Sequence, residues 1–279
     1  MIKVGLVTLN SSDDPLANLP VTLDDVSAAA EAGAAIVMTP EVTNCVSSSR
    51  AHQMEVLYHE AEDPTLKALR DLARLRGIWV LIGSLGLKTD DPDGRFANRS
   101  FLIDPAGQIK ARYDKIHMFD VDVSETERYR ESDGYRPGEK AVVAATPMGK
   151  IGMTICYDLR FPHLHRTLAK AGAEIITQPA AFTAVTGEAH WHSLLRARAI
   201  ETGCFVLAPA QTGHHKEKRD VKRRTYGHSL AVSPWGEVIY DGGVEPGWGL
   251  VEIDLDEVAE ARKRIPALSH DRDFEVSHA

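Results

Sequence analysis

The sequence predicts a single mixed α/β domain over residues 1–279, with strands in more than one sheet and helices outside them. Three observations predict this class. Short apolar runs alternate with amphipathic stretches that end at glycine, several runs pair across short turns, and no repeat or low-complexity linker divides the chain. A chain of this length buries roughly three-quarters of its unfolded surface, so its core needs no disulfide bonds.

The first part of the chain is typical of β-α-β units. Each helical pattern ends at a glycine, which readily adopts the left-handed conformation of a helix C-terminus, and a short apolar strand follows. The predicted elements are a strand at 4–9, a helix at 23–32 ending at Gly33, a strand at 35–39, a helix at 64–76 ending at Gly77 and a strand at 79–84.

Hairpins and further helices are predicted after residue 100. Pro-Ala-Gly, Pro-Met-Gly and Pro-Trp-Gly segments each separate two apolar runs, which favours a turn between antiparallel strands. The predicted elements are hairpins at 101–113, 142–155 and 229–240, helices at 159–172 and 190–202, and strands at 174–177 and 205–210.

Composition restricts the partners and the compartment. The net charge of −8 disfavours nucleic acid as the main partner. No stretch approaches the ~18 apolar residues of a membrane span, and the N-terminal segment lacks the apolar run of a signal peptide. Three cysteines far apart in the chain fit a reducing compartment. We therefore expect a cytoplasmic protein with no nucleic-acid partner and no membrane partner.

One segment departs from the acidic average. From His214 to Arg224 the sequence reads HHKEKRDVKRR, which we name the basic segment. A charged run of this kind is usually a solvated loop. The alternative interpretation is a flap that attracts an anionic substrate through its local positive charge.

The three cysteines differ in their surroundings. Cys204 begins an apolar strand, and Cys45 lies in a polar loop without basic neighbours, so both are interpreted as structural. Cys156 lies between a predicted strand and a predicted helix, where a sharp turn presents the side chain and the helix favours a thiolate. A buried structural cysteine fits the same position, so the residues alone leave both interpretations of Cys156 open.

Twelve histidines raise the question of a metal site. The close pairs at 163 and 165, 190 and 192, and 214 and 215 have none of the spacings typical of zinc ligands. We therefore expect no metal and no cofactor.

Three motifs, found in the expected order, resemble those of the nitrilase superfamily. The segment GKIGMTICYDLRFP around Cys156 resembles its nucleophile motif. Glu41, preceded by proline after an apolar strand, resembles its general base, and YDKIHMFD around Lys115 resembles its lysine motif. Similarity continues at 187–191, 195–202, 226–229 and 234–236 and so covers nearly the whole chain. Within the superfamily the sequence is most similar to the Nit-type amidases, the branch that contains deaminated-glutathione amidase and ω-amidase.

The resemblance implies a four-layer α-β-β-α sandwich of the nitrilase type. It also implies a Glu-Lys-Cys triad of Glu41, Lys115 and Cys156, with a second glutamate, Glu131, beside it. Members of the superfamily commonly pair through one helical layer. We therefore expect a homodimer or a larger homo-oligomer, with the C-terminal tail from about residue 265 packed on a partner subunit.

Such a triad suits the hydrolysis of an amide. Glu41 is expected to take the proton of Cys156 and deliver it to the leaving amine, which leaves a thioester. Water activated by Glu41 then hydrolyses the thioester. Lys115 and the backbone N–H of Tyr157 are expected to stabilise the oxyanion of the tetrahedral intermediate. Glu131 is expected to orient Lys115 or Glu41, or to assist the proton transfer.

The predicted substrate is a small amide that carries a carboxylate, similar to deaminated glutathione or α-ketoglutaramate, and the predicted products are an acid and ammonia. Its expected contacts are Tyr157, Arg160, Phe182 and Thr183. Arg160 and the basic segment, which is longer than the family pattern, are the expected partners of the carboxylate.

Other functions remain open at this stage. The same triad suits an N-carbamoyl amino acid, an aliphatic amide or a nitrile as substrate. A non-catalytic interaction protein is an alternative from another class, although an intact triad argues against it. A redox sensor built on Cys156 is a further alternative.

Overall fold

Two six-stranded sheets lie face to face between two layers of helices. The structure is a computed structural model that describes residues 1–123, 128–217 and 223–277. It confirms the predicted mixed α/β domain and the α-β-β-α order of its layers.

The first sheet combines parallel strands in its middle with antiparallel strands at its edges. Its spatial order is β16 (Gly247–Ile253), β1 (Ile2–Thr8), β2 (Ile36–Met38), β3 (Trp79–Leu87), β4 (Ala97–Ile103) and β5 (Ile109–Asp114). Strands β1, β2 and β3 are parallel, and the other neighbouring pairs are antiparallel.

The second sheet repeats this design. Its spatial order is β15 (Val238–Asp241), β14 (Leu230–Val232), β11 (Phe205–Ala208), β10 (Ile175–Thr177), β9 (Gly149–Met153) and β8 (Val142–Thr146). Strands β9, β10 and β11 are parallel. Two short ribbons pair β6 (Asp120–Asp122) with β7 (Arg128–Arg130) and β12 (Thr212–His214) with β13 (Arg224–Tyr226).

Most of the helices pack on the outer faces of the sheets. The α-helices are α1 (Pro15–Glu31), α2 (Arg50–Val56), α3 (Pro64–Arg76), α4 (Pro162–Lys170), α5 (Ala184–Thr202) and α6 (Asp256–Arg264). Short 3₁₀ helices cover Glu60–Glu62, Glu131–Asp133, Cys156–Arg160 and Ala267–Ser269. No helix in the described ranges is long and apolar enough to cross a membrane.

Alternate side chains of β1 pack on opposite faces of the first sheet. Val4 and Leu6 belong to the apolar cluster shared by the two sheets, whereas Val7 belongs to the cluster between the first sheet and its helices. Gly5 permits the close approach of α1, because a Cβ at this position would lie only 3.0 Å from the Cβ of Ala29. Each strand of this kind therefore contributes to two apolar layers.

Helix α3 has the bounds that its sequence signals predict. The side chain of Asp63 accepts a hydrogen bond from the backbone N–H of Leu66 at 2.8 Å, and Pro64 occupies the first helical position. Gly77 ends the helix with a φ of +66°. Both ends are set by local chemistry, so they can be read from the sequence.

Three helices begin at other residues than predicted. Helix α1 begins at Pro15, capped by Asp14, and includes Pro20 in its second turn, where a proline ordinarily argues against a helix. Helix α4 begins at Pro162 rather than at 159, because a 3₁₀ turn precedes it. Helix α5 begins at Ala184 rather than at 190.

The parallel strands of both sheets end at the same edge of the sandwich. Glu41 follows β2 of the first sheet, and Cys156 follows β9 of the second. The chain beyond β1 joins the chain beyond β11 there, with the N–H of Thr212 donating to the carbonyl of Leu9 at 2.8 Å. Ligand sites of α/β proteins commonly lie at such carboxyl ends of strands.

The C-terminal tail passes beside α4 after its 3₁₀ turn. Asp271 forms ion pairs with Arg166 and Lys170 of that helix. Farther along, Phe274 is 86% exposed and Val276 is also exposed. The tail therefore leaves two apolar side chains uncovered by its own subunit.

Candidate active site

Cys156 occupies a sharp turn directly after the second sheet. Its φ of +47° lies in the left-handed region, which costs a non-glycine residue about 1–2 kcal/mol. Two hydrogen bonds hold it there. The N–H of Cys156 donates to the carbonyl of Pro179 at 2.8 Å, and its own carbonyl accepts from Nε2 of Gln178 at 2.9 Å. The residue is only 7% exposed, so the thiol faces the interior of the site and not the surface.

Glu41 is held by three donors. Its Oε1 accepts hydrogen bonds from Nζ of Lys115 at 2.9 Å and from Nδ2 of Asn98 at 2.9 Å. Its Oε2 accepts from the backbone N–H of Ala181 at 2.8 Å. The residue is 4% exposed. The carboxylate is thus fixed between the two sheets with its charge satisfied.

Lys115 lies between two carboxylates. Its Nζ donates to Oε1 of Glu41 at 2.9 Å and to Oε2 and Oε1 of Glu131 at 2.8 and 3.0 Å. The N–H of Phe119 holds Glu131 in place, at 2.7 Å from Oε2. Sequence reasoning named Glu41, Lys115, Glu131 and Cys156, and the structure brings all four together.

The charges of this cluster determine which proton is available. Burial by itself would raise the pKa of Glu41, but Lys115 and hydrogen bonds from Cys156 and Lys115 outweigh it, so this pKa lies below its ordinary value. Burial opposes the charge of Lys115, but Glu131 and Glu41 hold its pKa well above its ordinary value. In the resting site both groups are therefore charged.

The thiol of Cys156 shows the opposite behaviour. Burial and the nearby Glu41 carboxylate raise its pKa well above the ordinary value, and Lys115 opposes them only in part. The prediction that a helix N-terminus favours the thiolate is therefore wrong for this resting site. The turn that begins at Cys156 is a five-residue 3₁₀ helix, whose dipole is weak beside desolvation and a neighbouring carboxylate.

Asp158 connects the turn at Cys156 to the residues on either side of Lys115. Its Oδ2 accepts hydrogen bonds from the hydroxyl of Tyr113 at 2.6 Å and the N–H of Ile155 at 2.8 Å. Its Oδ1 accepts from the N–H of His117 at 3.1 Å. This fully buried carboxylate thereby fixes the cysteine turn relative to the residues on either side of the lysine.

Sequence reasoning missed the groups that position the cluster. Asn98 donates to Glu41 and also to Oε1 of Glu131 at 3.2 Å, while Gln178 holds the carbonyl of Cys156. Asp158 was quoted within a motif but given no role. The available signal was a polar residue inside or directly after an apolar strand, where a buried polar group requires a partner.

The residues predicted to contact substrate are partly brought together. The guanidinium carbon of Arg160 lies 5.3 Å from the ring centroid of Phe182 and 5.9 Å from that of Tyr157. Nη2 of Arg160 lies 3.3 Å from Nδ1 of His190. Thr183 differs, because its side chain accepts a hydrogen bond as the N-cap of α5. Its hydroxyl is therefore already engaged.

Aromatic rings extend from Tyr157 along one side of the cluster. The ring centroids of Tyr157 and Phe119 are 5.1 Å apart, and those of Phe119 and Tyr129 are 5.0 Å apart. We name these three residues the aromatic wall. Phe119 and Tyr129 both precede Glu131 in the sequence, but no local pattern distinguishes them from core residues.

The basic segment is neither a uniform solvated loop nor a uniform cationic flap. Its residues 218–222 lie outside the described residues. His215 is buried between the carbonyl of Ser11 and the hydroxyl of Thr225, each 2.7 Å from a ring nitrogen, and burial lowers its pKa to about 4. It is therefore neutral. Arg224 is exposed, whereas Arg223 is half-buried.

One histidine group has the composition of a metal site. His192, His228 and Asp241 bring their possible ligand atoms within 4.8 Å of one another. Nδ1 of His228 donates to Oδ1 of Asp241 at 2.9 Å, and Nε2 of His192 lies 3.2 Å from Oδ2. These hydrogen bonds satisfy the carboxylate by themselves, and none of these three residues belongs to the cluster around Cys156.

The fold and sequence match known proteins over nearly the whole chain. The profile of the family described as carbon-nitrogen hydrolase matches residues 3–263. The protein is thus a hydrolase that acts on carbon–nitrogen bonds other than peptide bonds. The chain belongs to the carbon-nitrogen hydrolase family, which confirms the resemblance to the nitrilase superfamily and its Nit branch.

Relatives of known name support this assignment. Deaminated glutathione amidase of Yersinia enterocolitica is 42% identical, over 97% of this chain and 93% of the relative. The solved NitFhit protein of C. elegans has a TM-score of 0.89 at 35% identity, over 97% of this chain but only 65% of that one. Nit3 of Saccharomyces cerevisiae, a member of branch 10 of the nitrilase superfamily, has a TM-score of 0.83 at 28% identity, over 98% and 97%.

Proposed function

We propose that the protein is a cysteine-dependent amidase that hydrolyses a small amide bearing a carboxylate. The observation that carries the proposal is the cluster of Glu41, Lys115 and Cys156. A protonated thiol lies near an ionised carboxylate, and a buried ammonium interacts with both. This is the state in which a general base can activate a nucleophile on demand.

The first half of the proposed reaction forms a thioester. Glu41 takes the proton of Cys156 as the sulfur attacks the carbonyl carbon, and the electron pair of the C=O bond moves to oxygen. Lys115 and the N–H of Tyr157 stabilise that oxyanion. The N–H of Tyr157 suits this role, because no acceptor in the described parts of the chain bonds to it, whereas the N–H of Cys156 is engaged by Pro179. Glu41 then protonates the nitrogen, the electron pair on oxygen re-forms the C=O bond, the C–N bond breaks, and the amine leaves a thioester on Cys156.

The second half releases the acid. Glu41 takes a proton from water, whose oxygen attacks the thioester carbon. The C–S bond then breaks, and the sulfur regains its proton. Glu131 acts as a positioning residue, because it bonds to Lys115 and touches neither the thiol nor the leaving group in this scheme. Its contact with Asn98 also supports the orientation of Glu41.

The substrate class rests on the relatives. Several are named deaminated glutathione amidase, and that compound, like α-ketoglutaramate, combines an amide with a carboxylate. Deaminated glutathione has no primary amide, so its hydrolysis releases an amine and not the ammonia expected from α-ketoglutaramate. Both products therefore have to be measured.

A substrate panel tests the proposal. Purified protein is given deaminated glutathione, α-ketoglutaramate, an N-carbamoyl amino acid, an aliphatic amide and a nitrile, and the acid and the amine or ammonia are quantified. We expect the carboxylate-bearing amides to give the highest kcat/KM. Turnover of the nitrile or the N-carbamoyl compound alone would reject this substrate class and retain the triad. No turnover of any compound would favour a non-catalytic role.

The pH dependence of kcat/KM is a second test. Since the pKa of Glu41 lies below its ordinary value, activity should persist as the pH falls, with the acid limb centred below about pH 4.3. The raised pKa of Cys156 should keep the alkaline limb above about pH 8.5. An acid limb near neutral pH would contradict an ionised resting Glu41.

Acid unfolding has to be separated from this limb. A carboxyl with a lowered folded pKa stabilises the fold above its unfolded pKa, and this contribution is lost as the pH falls through the folded value. Samples held at each acid pH are therefore returned to pH 7 and assayed again. Full recovery excludes irreversible inactivation, and an unchanged circular dichroism spectrum at the acid pH assigns the limb to the titration of the site rather than to reversible unfolding.

We also propose a homodimer in which the C-terminal tail packs on the partner subunit. The exposed Phe274 and Val276 support this arrangement, because apolar side chains on an ordered tail are better covered than solvated. A single-chain mass in light scattering would contradict it.

A further inference from the structure

Arg223, at the end of the basic segment, has donors that its own subunit does not use. Its Nε is buried and has no hydrogen-bond partner within the described residues. Its Nη2 has one long contact, 3.4 Å from the carbonyl oxygen of Ala181. No carboxylate in the described ranges forms an ion pair with it. A buried Nε without a partner is costly unless it binds an acceptor, and a carboxylate matches the fork of donors on a half-buried guanidinium.

The guanidinium lies next to the reacting groups. Ala181, whose carbonyl it approaches, donates its N–H to Oε2 of Glu41 at 2.8 Å. Arg223 is also one of the charges that lower the pKa of Glu41. On its other side, the guanidinium carbon lies 6.0 Å from the ring centroid of Tyr129 in the aromatic wall. Arg223 is therefore placed between the general base and one wall of the site.

The charge of the cluster makes such a cation necessary for an anionic substrate. With Cys156 protonated, the carboxylates of Glu41 and Glu131 exceed the single ammonium of Lys115 by one negative charge. In a site with little water, this excess repels a carboxylate. Arg223 offsets it at the edge of the cluster, where a substrate's remote end would lie.

Arg160 is the competing candidate, and its surroundings are different. Its guanidinium is stacked near two rings and contacts the imidazole of His190. These contacts already engage the side chain. Among the residues that the structure describes, Arg223 has only the long contact to Ala181 and the ring of Tyr129.

The backbone of Arg223 is held firmly enough to aim the side chain. Its carbonyl accepts a hydrogen bond from the N–H of the buried His215 at 3.0 Å, and the next residues pair with β12. We propose that Arg223 binds the carboxylate of the substrate and so selects amides whose carbon chain ends in that group. This inference rests on the proposed amidase function and adds the residue that sets its specificity.

A matched pair of substrates tests the assignment. Glutaramate carries a terminal carboxylate, and its methyl ester has the same skeleton without the charge. For Arg223→Gln we expect the KM for glutaramate to rise about 10- to 100-fold at pH 7, with kcat changed less than about threefold, as for the loss of one charged hydrogen-bonded pair. The kcat/KM for the ester should stay within about threefold. Arg223→Lys, which keeps the charge, should recover part of the loss.

Arg224→Gln is the control, because Arg224 is the exposed neighbour with the same charge. This variant should leave KM and kcat unchanged for both glutaramate and its ester. An equal loss on glutaramate and ester, or the same loss in Arg224→Gln, would overturn the assignment. If Arg160→Gln produced the selective KM effect instead, Arg160 would be the anchor. Wild-type hydrolysis restricted to uncharged amides would reject the anchor and leave the thioester mechanism standing. No hydrolysis of any amide would reject the amidase proposal and the anchor together.

Discussion

Replacing Cys156 with alanine is expected to lower kcat/KM for amide hydrolysis by at least about 10⁴-fold. The variant lacks the sulfur of the proposed thioester, while Glu41 and Lys115 retain their hydrogen bond and ion pair. Initial rates with the best substrate of the panel measure the loss. Retained turnover above the uncatalysed rate would contradict the nucleophile assignment.

Cys45→Ala is the matched control for this experiment. Burial raises the pKa of the Cys45 thiol to about 12, so this side chain is unreactive, and its Sγ donates only a weak hydrogen bond to the carbonyl of Asp13 at 3.6 Å. Its removal should leave kcat within about threefold. Thermal unfolding of both variants shows whether a loss of activity is a loss of folded protein.

Replacing Lys115 with methionine is expected to affect both activity and stability. The ammonium lost is the partner of two carboxylates, and breaking such a buried pair costs about 3–5 kcal/mol in the free energy of unfolding. The same variant should lose on the order of 10²- to 10³-fold in kcat, because the proposed oxyanion donor is missing. Denaturant unfolding and initial rates measure the two effects separately.

The stability of Lys115→Met should change with pH in the opposite direction to that of the wild type. Without Lys115, burial dominates and the folded pKa of Glu41 rises above its unfolded value, so the variant should gain stability as the pH falls towards 5. In the wild type the lowered pKa of Glu41 has the opposite effect. Adding Glu131→Gln should restore part of the stability of Lys115→Met, because it removes one of the two unpaired charges.

Lys110→Met provides the surface control. Lys110 lies on β5, which ends directly before Lys115, is half-exposed and reaches Asp104 only at 4.0 Å. Exposed pairs of this kind contribute little, so the free energy of unfolding should change by less than about 1 kcal/mol. A comparable loss in Lys110→Met would show that the strand itself, and not the buried charge, accounts for the effect.

Local chemistry determined which parts of the fold could be predicted. Helix α3 has its capping aspartate, its first-turn proline and its terminal glycine within the helix and its two flanking residues, so both ends were predicted correctly. Helix α1 begins at Pro15, before the predicted start at residue 23, and includes Pro20, a residue type that ordinarily argues against a helix interior. Tertiary packing compensates for the hydrogen bond that this proline lacks, and packing is not visible in a local sequence window.

The residues of the site also divide into those that the sequence predicted and those that it did not. Glu41, Lys115, Glu131 and Cys156 were found through a resemblance to known motifs and not through their separate surroundings. Asn98 was missed, because its contact with Glu41 spans 57 positions of the chain and leaves no periodic pattern. The predicted direction of the pKa shift of the Cys156 thiol was also wrong. Burial and the carboxylate of Glu41, which follows a strand of the other sheet, raise this pKa.

The protonated resting thiol has a consequence for the durability of the protein in an oxidising environment. Peroxide reacts with thiolates far faster than with thiols, and a side chain that is 7% exposed is also shielded from encounter. Cys156 should therefore resist conversion to a sulfenic acid while no substrate is present. Such a cysteine is poorly suited to sensing oxidants, and the sulfur remains available for the proposed step in which Glu41 takes its proton.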